Sequence, residues 1–181
     1  GDIHTANQEA AGLPTRDAAK VFIYAFLYGA GPAKLGSIVG GGYNEGKEMQ
    51  KRFLAKMPAL AQLKKDVEIN AQLRGYLVGL DGRRLRIRSA HAALNTLLQS
   101  AGALIMKKAT ILMNREISKH SLDAIQVGHI HDEVQFECKE AHADLVGKIV
   151  KACIEDAGTS FNLRCPLAGE AKIGANWAET H

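Results

Sequence analysis

The chain has 181 residues, of which 46% are hydrophobic and 23% are charged, a composition typical of a globular protein with a substantial core. Its apolar runs fall well short of the ~20 residues that span a membrane, and no signal-peptide pattern opens the sequence, which argues against membrane and secreted proteins and predicts an intracellular one. The net charge is +4, but five arginines and one aspartate lie within residues 74–88, so the basic excess is local and indicates a polyanion held at one place.

The first strong helix is predicted to begin after Thr15 and to end before Gly29. Four of its residues are spaced four apart, so each lies about 40° round the helix and about 6 Å along from the last. The cations come first, near the positive end of the helix dipole, and the phenol rings come last, so this face fits a nucleoside triphosphate. The alternative is an ordinary solvated face opposite an apolar one. The face consists of Arg16, Lys20, Tyr24 and Tyr28 and is called the cation–tyrosine stripe.

His4 is predicted to lie in a loop ahead of this helix, and an isolated histidine indicates little by itself. Two further helices are predicted after a glycine-rich break, from Asn44 to Lys56 and from Pro58 to about Leu73. Both alternate apolar and charged faces, which is typical of helices packed at a surface.

Asp81-Gly82 is the strongest short hairpin signal in the sequence, between apolar residues 76–78 and the alternating segment 84–88. Successive strand residues point to opposite faces, so the arginines of this hairpin are expected to make one face cationic. Such a face fits a nucleic-acid backbone, and the alternative is a solvated, positively charged hairpin.

A long helix is predicted from Ala90 to about Lys119, capped by Ser89. His91, Asn95 and Gln99 fall four apart on it and present neutral hydrogen-bonding groups on one face. Neutral donors suit the minor groove, where every base pair offers an acceptor. The alternative is a helix face whose amides pack on polar backbone.

Residues 125–138 are predicted to form two strands that meet around His131-Asp132. Asp132 and Glu133 stand within an otherwise apolar stretch, where carboxylates are costly unless partnered. In a tight turn, their oxygens could hold a hard divalent cation such as Mg²⁺. The alternative is a β-turn that uses aspartate as a turn former.

The end of the sequence is predicted to hold a helix over 141–157 and one or two strands over 163–177. Helices thus dominate the first two thirds and strands the rest, which predicts an α+β fold. Cys138, Cys153 and Cys165 lack close metal-ligand spacing and are predicted to be buried thiols.

Taken together, these segments resemble the C-terminal fingers and palm portion of family A DNA polymerases, most closely the replicative polymerases of T-seven-like bacteriophages. The resemblance covers practically the whole chain. It rests on Gly1-Asp-Ile-His-Thr5, Leu13-Pro-Thr-Arg-Asp17, Lys20, Tyr24, Leu27-Tyr-Gly-Ala-Gly31, Gly79-Leu-Asp-Gly-Arg83, Arg88-Ser89, His91-Ala-Ala-Leu-Asn-Thr-Leu-Leu-Gln-Ser-Ala-Gly102, His131-Asp-Glu133 and Asn176-Trp177.

The resemblance implies an α+β partial polymerase domain, with helical fingers in residues 1–75 and an antiparallel-sheet palm in residues 76–181. Helix 15–29 would close over the incoming nucleotide, with His4, Arg16 and Lys20 on its triphosphate. Tyr24 falls where a tyrosine goes with acceptance of dideoxynucleotides, and Tyr28 falls where the ring helps exclude wrong pairs and ribose.

The resemblance also implies the remaining roles. Asp132 would be a palm ligand of Mg²⁺, with Glu133 its acidic neighbour, so that Asp132, Glu133 and Lys20 are the expected catalytic residues. The expected DNA contacts are His91, Asn95 and Gln99 in the minor groove, His131 at the primer end, and Arg83, Arg84 and Arg88 along the backbone.

The implied function is template-directed transfer of nucleotides from dNTPs to a primer 3′-hydroxyl, in the cytoplasm of an infected bacterial host. A second palm aspartate, expected in a word such as Asp-x-Ser-x-x-Glu-Leu-Arg, is not found in the sequence, so we expect the isolated chain to be inactive. The expected partners are primer–template DNA, dNTP, and a second polypeptide or upstream segment carrying that aspartate, the thumb and the exonuclease. The alternative is a non-catalytic nucleic-acid-binding module derived from a polymerase.

Overall fold

The computed structural model describes residues 2–180; Gly1, which begins one of the matched words, and His181 lie outside the described residues. The chain divides into two compact units, the first formed by residues up to 79 with 83–98 and the second by 80–82 with residues from 99 onward. The predicted roles, fingers for residues 1–75 and palm for 76–181, stay predictions.

The first unit is mainly helical. Its elements are α1 (Ile3–Ala11), α2 (Arg16–Leu27), α3 (Pro32–Ser37), α4 (Tyr43–Lys56), α5 (Pro58–Arg74), β1 (Tyr76–Val78), β2 (Arg84–Arg86), a 3₁₀ turn (Ala90–Ala92) and the beginning of α6 (Ala93–Lys119).

Helix α1 corrects the prediction that His4 lies in a loop. Asp2 is the N-cap, and its carboxylate accepts hydrogen bonds from the backbone N–H groups of His4 and Thr5, both at 3.3 Å. Gly12 ends the helix in the left-handed conformation. Aspartate often begins a helix as its N-cap, and glycine often ends one. Both signals are present here, but a helix of only nine residues is easily missed in the sequence.

Helix α3 is a further difference from the sequence prediction, in which the segment around Pro32 only ends a helix. Proline fits the first position of a helix equally well, since the N–H that it lacks has no partner there. In the structure Pro32 begins α3, and Gly31 is the N-cap.

The core of the first unit is built on the apolar face of α2. Phe22 and Phe26 each pack edge-on against Phe53 of α4, with ring centroids 5.4 and 5.3 Å apart, and all three rings are buried. Leu35 of α3 is buried in the same cluster. The opposite face of α2 is therefore left to solvent.

Strands β1 and β2 form the predicted antiparallel hairpin, with Leu77 opposite Leu85. Both leucines face a cluster that includes Val67 of α5 and Leu94 of α6. Arg84 and Arg86 project from the other face and are exposed. The predicted cationic strand face is thus confirmed.

The second unit contains most of α6 and the remaining elements. They are β3 (Ala124–Ile130), β4 (Glu133–Cys138), a 3₁₀ turn (Glu140–His142), α7 (Ala143–Ser160) and α8 (Trp177–Thr180). Strands β3 and β4 pair antiparallel, and the buried side chains of α6 and α7, including Met113 and Val150, form the core with the sheet. The α+β class is confirmed.

The predicted strands over 163–177 are wrong, because no strand is formed between residues 163 and 176. This segment lies along α7 instead. The side chain of Leu167 packs over Gly158, and Gly169 packs against Ile154. The apolar residues of this segment pack on the surface of a helix and not in a sheet. An alternating pattern alone does not distinguish these two kinds of packing.

The cysteine prediction is right only in part. Cys153 is buried, Cys138 is half-buried and Cys165 is exposed, and all three are free thiols. Among residues 2–180, no helix is both long and apolar enough to cross a membrane.

Candidate functional site

The cation–tyrosine stripe forms the solvent face of α2. Thr15 caps the helix by accepting a hydrogen bond from the N–H of Ala18 at 3.1 Å, and Arg16 follows as the first helical residue. Tyr24 and Tyr28 are 48% and 55% exposed, and their rings lie nearly parallel with centroids 6.5 Å apart. The stripe is therefore accessible along its whole length, with cations at one end and a pair of rings at the other.

The structure adds His4 to this stripe. The ring of His4, on α1, lies 6.4 Å from that of Tyr24 at an angle of 48°. Its Nδ1 atom is buried and has no hydrogen-bond partner among the described residues. Sequence spacing gives no sign of this approach, because it depends on how α1 packs against α2.

Arg16 is held by a residue that sequence reasoning misses. Its Nε donates to one carboxylate oxygen of Asp2 at 2.6 Å, and its Nη2 donates to the other at 3.2 Å. The hydrogen bonds from Arg16, and then one from Thr5, hold the pKa of Asp2 well below its usual range. The hydrogen bonds to Asp2, together with its charge, raise the pKa of Arg16. An aspartate at a helix N-cap is the available signal, but it does not reveal the pairing.

The far end of α2 contacts the turn that carries His91. Gly29 has φ of +81°, and a β-carbon there would lie 2.9 Å from the carbonyl oxygen of His91. Tyr28 therefore stands one residue from this contact. An open cleft of about 520 Å³ lies beside it, and its lining includes Phe26, Gly31, Pro32, His91 and Leu94.

The three predicted minor-groove residues are not all on one regular helix. His91 is exposed on the 3₁₀ turn, Asn95 is half-buried in the first unit, and Gln99 is exposed in the second. Asn95 and Gln99 both lie on α6, one turn apart. Asn95 and Gln99 thus lie on the predicted helix and His91 lies on the 3₁₀ turn before it, and the minor-groove contacts of all three stay a prediction.

The basic hairpin presents Arg83, Arg84 and Arg88 as exposed side chains. The guanidinium of Arg84 lies over the ring of Tyr76, 4.8 Å from its centroid, which fixes its direction. Arg86, which is absent from the predicted DNA contacts, is exposed on the same strand face. Strand alternation is the signal for including it.

Asp132 stands at the tip of the β3–β4 hairpin, between the paired residues Ile130 and Glu133. His131 adopts φ of +54°, a left-handed conformation that histidine reaches more readily than most residues. Asp132 is exposed, and no described residue donates a hydrogen bond to its carboxylate. Its oxygens are free to bind a cation.

Glu133 is held in a different way. It begins β4 and accepts hydrogen bonds from the side-chain amide of Gln135 and, at 3.0 Å, from the indole N–H of Trp177 on α8. Thr180 also donates to Gln135 at 3.2 Å. Glu133 is thus oriented by hydrogen bonds that include those from Gln135 and Trp177, whereas the carboxylate of Asp132 accepts none from the described residues.

The stripe belongs to the first unit, and the His131-Asp132 turn belongs to the second. Within the described residues, no group of three or more histidine, cysteine, aspartate or glutamate side chains could hold a metal ion. Asp132 offers hard oxygen ligands of the kind that Mg²⁺ prefers, so the residue fits one part of a magnesium site.

Comparison with known proteins decides the family, because the model for "DNA polymerase family A" matches residues 2–179. This chain belongs to DNA polymerase family A. It is 48% identical over 188 residues to the DNA-directed DNA polymerase of Escherichia phage Phieco32, and 45% identical over 202 residues to that of Escherichia phage T7. Both alignments cover 100% of the chain but only 30% and 29% of those relatives, so the chain spans less than a third of their length.

A solved polymerase structure shares this fold. The POL domain of Pol1 from M. smegmatis, in complex with DNA primer-template and dNTP, matches with a TM-score of 0.78 and 23% identity over 86% of this chain and 31% of that one. The likeness to this structure concerns the fold, and the family assignment rests on the sequence comparisons.

Proposed function

We propose that this chain supplies the nucleotide-binding helix and one metal-binding carboxylate of a DNA-directed DNA polymerase that extends a primer in DNA replication. The observation that carries the proposal is the exposed cation–tyrosine stripe on α2, in a chain that belongs to DNA polymerase family A. A solvated face alone accounts for the exposure of the stripe, but it does not account for the approach of His4 to Tyr24 or of His91 to Gly29.

The phosphate end of the site consists of Arg16, Lys20 and His4 in this proposal. Arg16 binds a phosphate group through its guanidinium, and Lys20, one helical turn further on, places a positive charge beside the same chain of phosphates. Because negative charge develops on the leaving pyrophosphate, the ammonium of Lys20 stabilises the transition state more than the ground state.

The base end consists of Tyr24 and Tyr28, whose rings cover the sugar and the nascent base pair. The basic hairpin binds the DNA backbone through Arg83, Arg84 and Arg88 without reading sequence. His91, Asn95 and Gln99 contact the minor groove near the new pair, and His131 contacts the primer end.

The proposed metal is Mg²⁺, with Asp132 as its ligand in this chain and Glu133 beside it. Bound Mg²⁺ would supply positive charge to neutralise the reacting phosphate and would lower the pKa of the primer hydroxyl. Asp132, at the hairpin tip, would hold the ion through its carboxylate, while Trp177 and Gln135 hold Glu133 in place beside Asp132. A further aspartate, from a segment that this sequence does not contain, completes the pair of sites.

The proposed partners are primer–template DNA, dNTP, and the polypeptide or segment that carries this further aspartate. The proposed location is the cytoplasm of an infected bacterial host, as for a phage replication enzyme. These proposals rest on the relatives named above, of which the chain covers under a third.

Primer extension tests the proposal directly. We expect negligible synthesis from the purified chain alone, and extension once a polypeptide carrying the second palm aspartate is added. In that combined enzyme, Asp132→Ala should lower synthesis by at least about a thousandfold, because the carboxylate that this chain would contribute to metal binding is lost, while duplex affinity stays within about twofold.

Asp144→Ala, which removes an exposed carboxylate at the start of α7, is the matched control and should leave synthesis unchanged. Robust extension by the chain alone would contradict the need for a second carboxylate. Unchanged synthesis by Asp132→Ala would remove this residue from metal binding, and duplex binding without any nucleotide binding would favour the non-catalytic module.

A further inference from the structure

We propose that Asp2 positions Arg16 for nucleotide binding. Its carboxylate binds one edge of the Arg16 guanidinium, so that the donors on the opposite edge face the triphosphate. This inference rests on the proposed function, in which Arg16 binds phosphate. It adds Asp2, which lies outside the spacing pattern on α2 and has no role among the nucleotide contacts expected from the resemblance.

The first observation is the geometry of the pair. Arg16 uses Nε and Nη2 to bind the two oxygens of Asp2, at 2.6 and 3.2 Å, which is a side-on bidentate arrangement. The Nη1 donors lie at the other end of the planar guanidinium, and no described residue accepts a hydrogen bond from them. A phosphate can therefore bind to Arg16 without displacing Asp2.

The second observation is that Asp2 also fixes α1. Its carboxylate accepts hydrogen bonds from the N–H groups of His4 and Thr5 and from the hydroxyl of Thr5 at 2.8 Å. Helix α1 carries His4, whose ring lies 6.4 Å from that of Tyr24. One carboxylate thus ties together the two elements that carry the proposed phosphate-binding residues.

Electrostatics alone predicts the opposite effect. A carboxylate near a triphosphate repels it, so its removal should tighten nucleotide binding. If Asp2 positions Arg16, its removal should weaken binding instead, because the free arginine must lose rotamer entropy when the nucleotide binds. The side chains of Asp2 and Arg16 are 38% and 54% exposed, so the pair adds little to folding stability and orientation is the effect to measure.

Asp2→Asn separates the two roles of this residue. Asparagine caps a helix about as well as aspartate, but it lacks the second oxygen that a bidentate pair requires. Titration calorimetry of the full chain with dATP and with inorganic tripolyphosphate should show affinity about threefold to tenfold weaker for Asp2→Asn, as expected for one newly mobile side chain.

Asp17→Asn is the matched control. Asp17 is the neighbouring acidic residue in the first turn of α2, and it acts on Arg16 through its charge rather than through a hydrogen bond. Its neutralisation removes the same charge near the phosphate site, so affinity should stay constant or rise. The opposite directions of the two variants distinguish positioning from repulsion.

Arg16→Ala and the double variant Asp2→Asn/Arg16→Ala complete the test. If Asp2 acts through Arg16, the double variant should bind dATP as weakly as Arg16→Ala alone, and any effect of the changed helix cap would appear as a further loss. Unchanged or tighter binding by Asp2→Asn, while Arg16→Ala binds weakly, would overturn the role of Asp2 and leave the proposed function intact. Absence of dATP binding by the unsubstituted chain, or full binding by Arg16→Ala, would overturn both.

Discussion

At the scale of single residues, the Asp2–Arg16 pair should be insensitive to pH across the neutral range. Hydrogen bonds from Arg16, and then from Thr5, lower the pKa of Asp2, so its carboxylate stays ionised above the unfolded value of about 3.9. Any stabilisation from the pair is present above that pH and is lost only as the pH falls through the lowered pKa.

The ratio of dATP affinities of the unsubstituted chain and Asp2→Asn should therefore be the same at about pH 5 and about pH 8, measured by titration calorimetry. Protonation of the terminal phosphate of dATP over this range affects binding to both proteins and cancels in the ratio. A ratio that falls toward one at the lower pH would show that the pairing requires a group that titrates near neutrality.

The cysteines give a second prediction at this scale. Burial raises the pKa of the Cys153 thiol and also blocks access to it, whereas Cys165 is exposed. In the folded chain, a thiol reagent such as dithionitrobenzoate should modify Cys165 first, Cys138 more slowly and Cys153 only on unfolding. In denaturant, all three should react at similar rates, and early modification of Cys153 in the folded chain would contradict the packing of α7 in the core.

At the scale of elements, the crossing of α3 and α4 depends on two glycines. A β-carbon at Gly46 would lie 1.8 Å from the carbonyl oxygen of Pro32, and one at Gly36 would lie 1.9 Å from that of Gly42. The backbones therefore touch, and no side chain fits between them. Gly46→Ala should lower the free energy of unfolding by about 3 kcal/mol or more, because backbone must move to admit the methyl group.

Gly102→Ala is the matched control, since this glycine is also in a helix interior but has no atom within 4 Å of the position that a β-carbon would take. Chemical denaturation should show a gain of about 0.5–1 kcal/mol for it, from the lower entropy of the unfolded chain. A small effect of Gly46→Ala would contradict the close crossing of the two helices.

Among the elements, the sequence predicts those helices and turns whose formation depends on residues close together in the chain. Phe22 and Phe26 mark the buried face of α2, and Asp81-Gly82 places the basic hairpin, because helix and turn preferences act over a few residues. Helix α3 and the course of residues 163–176 are not predictable in this way. Proline both ends and begins helices, and apolar alternation is satisfied equally by a sheet or by the side of α7.

At the scale of the whole molecule, DNA binding is expected to depend less on the net charge of +4 than on the concentration of basic residues within 74–88. Under the proposed function, binding of a primer–template duplex should weaken with salt because cations on the hairpin release counterions from the DNA. Replacing Arg84 and Arg88 together with glutamine should reduce the slope of log affinity against log salt by about 1.8, measured by fluorescence anisotropy.

The control is replacement of Lys47 and Lys51 with glutamine, which removes the same charge from exposed positions on α4. This pair should leave the slope nearly unchanged. An equal reduction in both double variants would show that duplex binding depends on net charge rather than on the hairpin.

The sequence by itself determined the family resemblance, the α+β class, the cation–tyrosine stripe and the turn that carries Asp132. Each of these follows from residue types and spacings within short segments of the chain. Only the tertiary structure decided that Asp2 pairs with Arg16, that His4 reaches Tyr24 and that His91 touches Gly29. These contacts join residues from separate elements, and their geometry follows from how buried faces pack rather than from any local period.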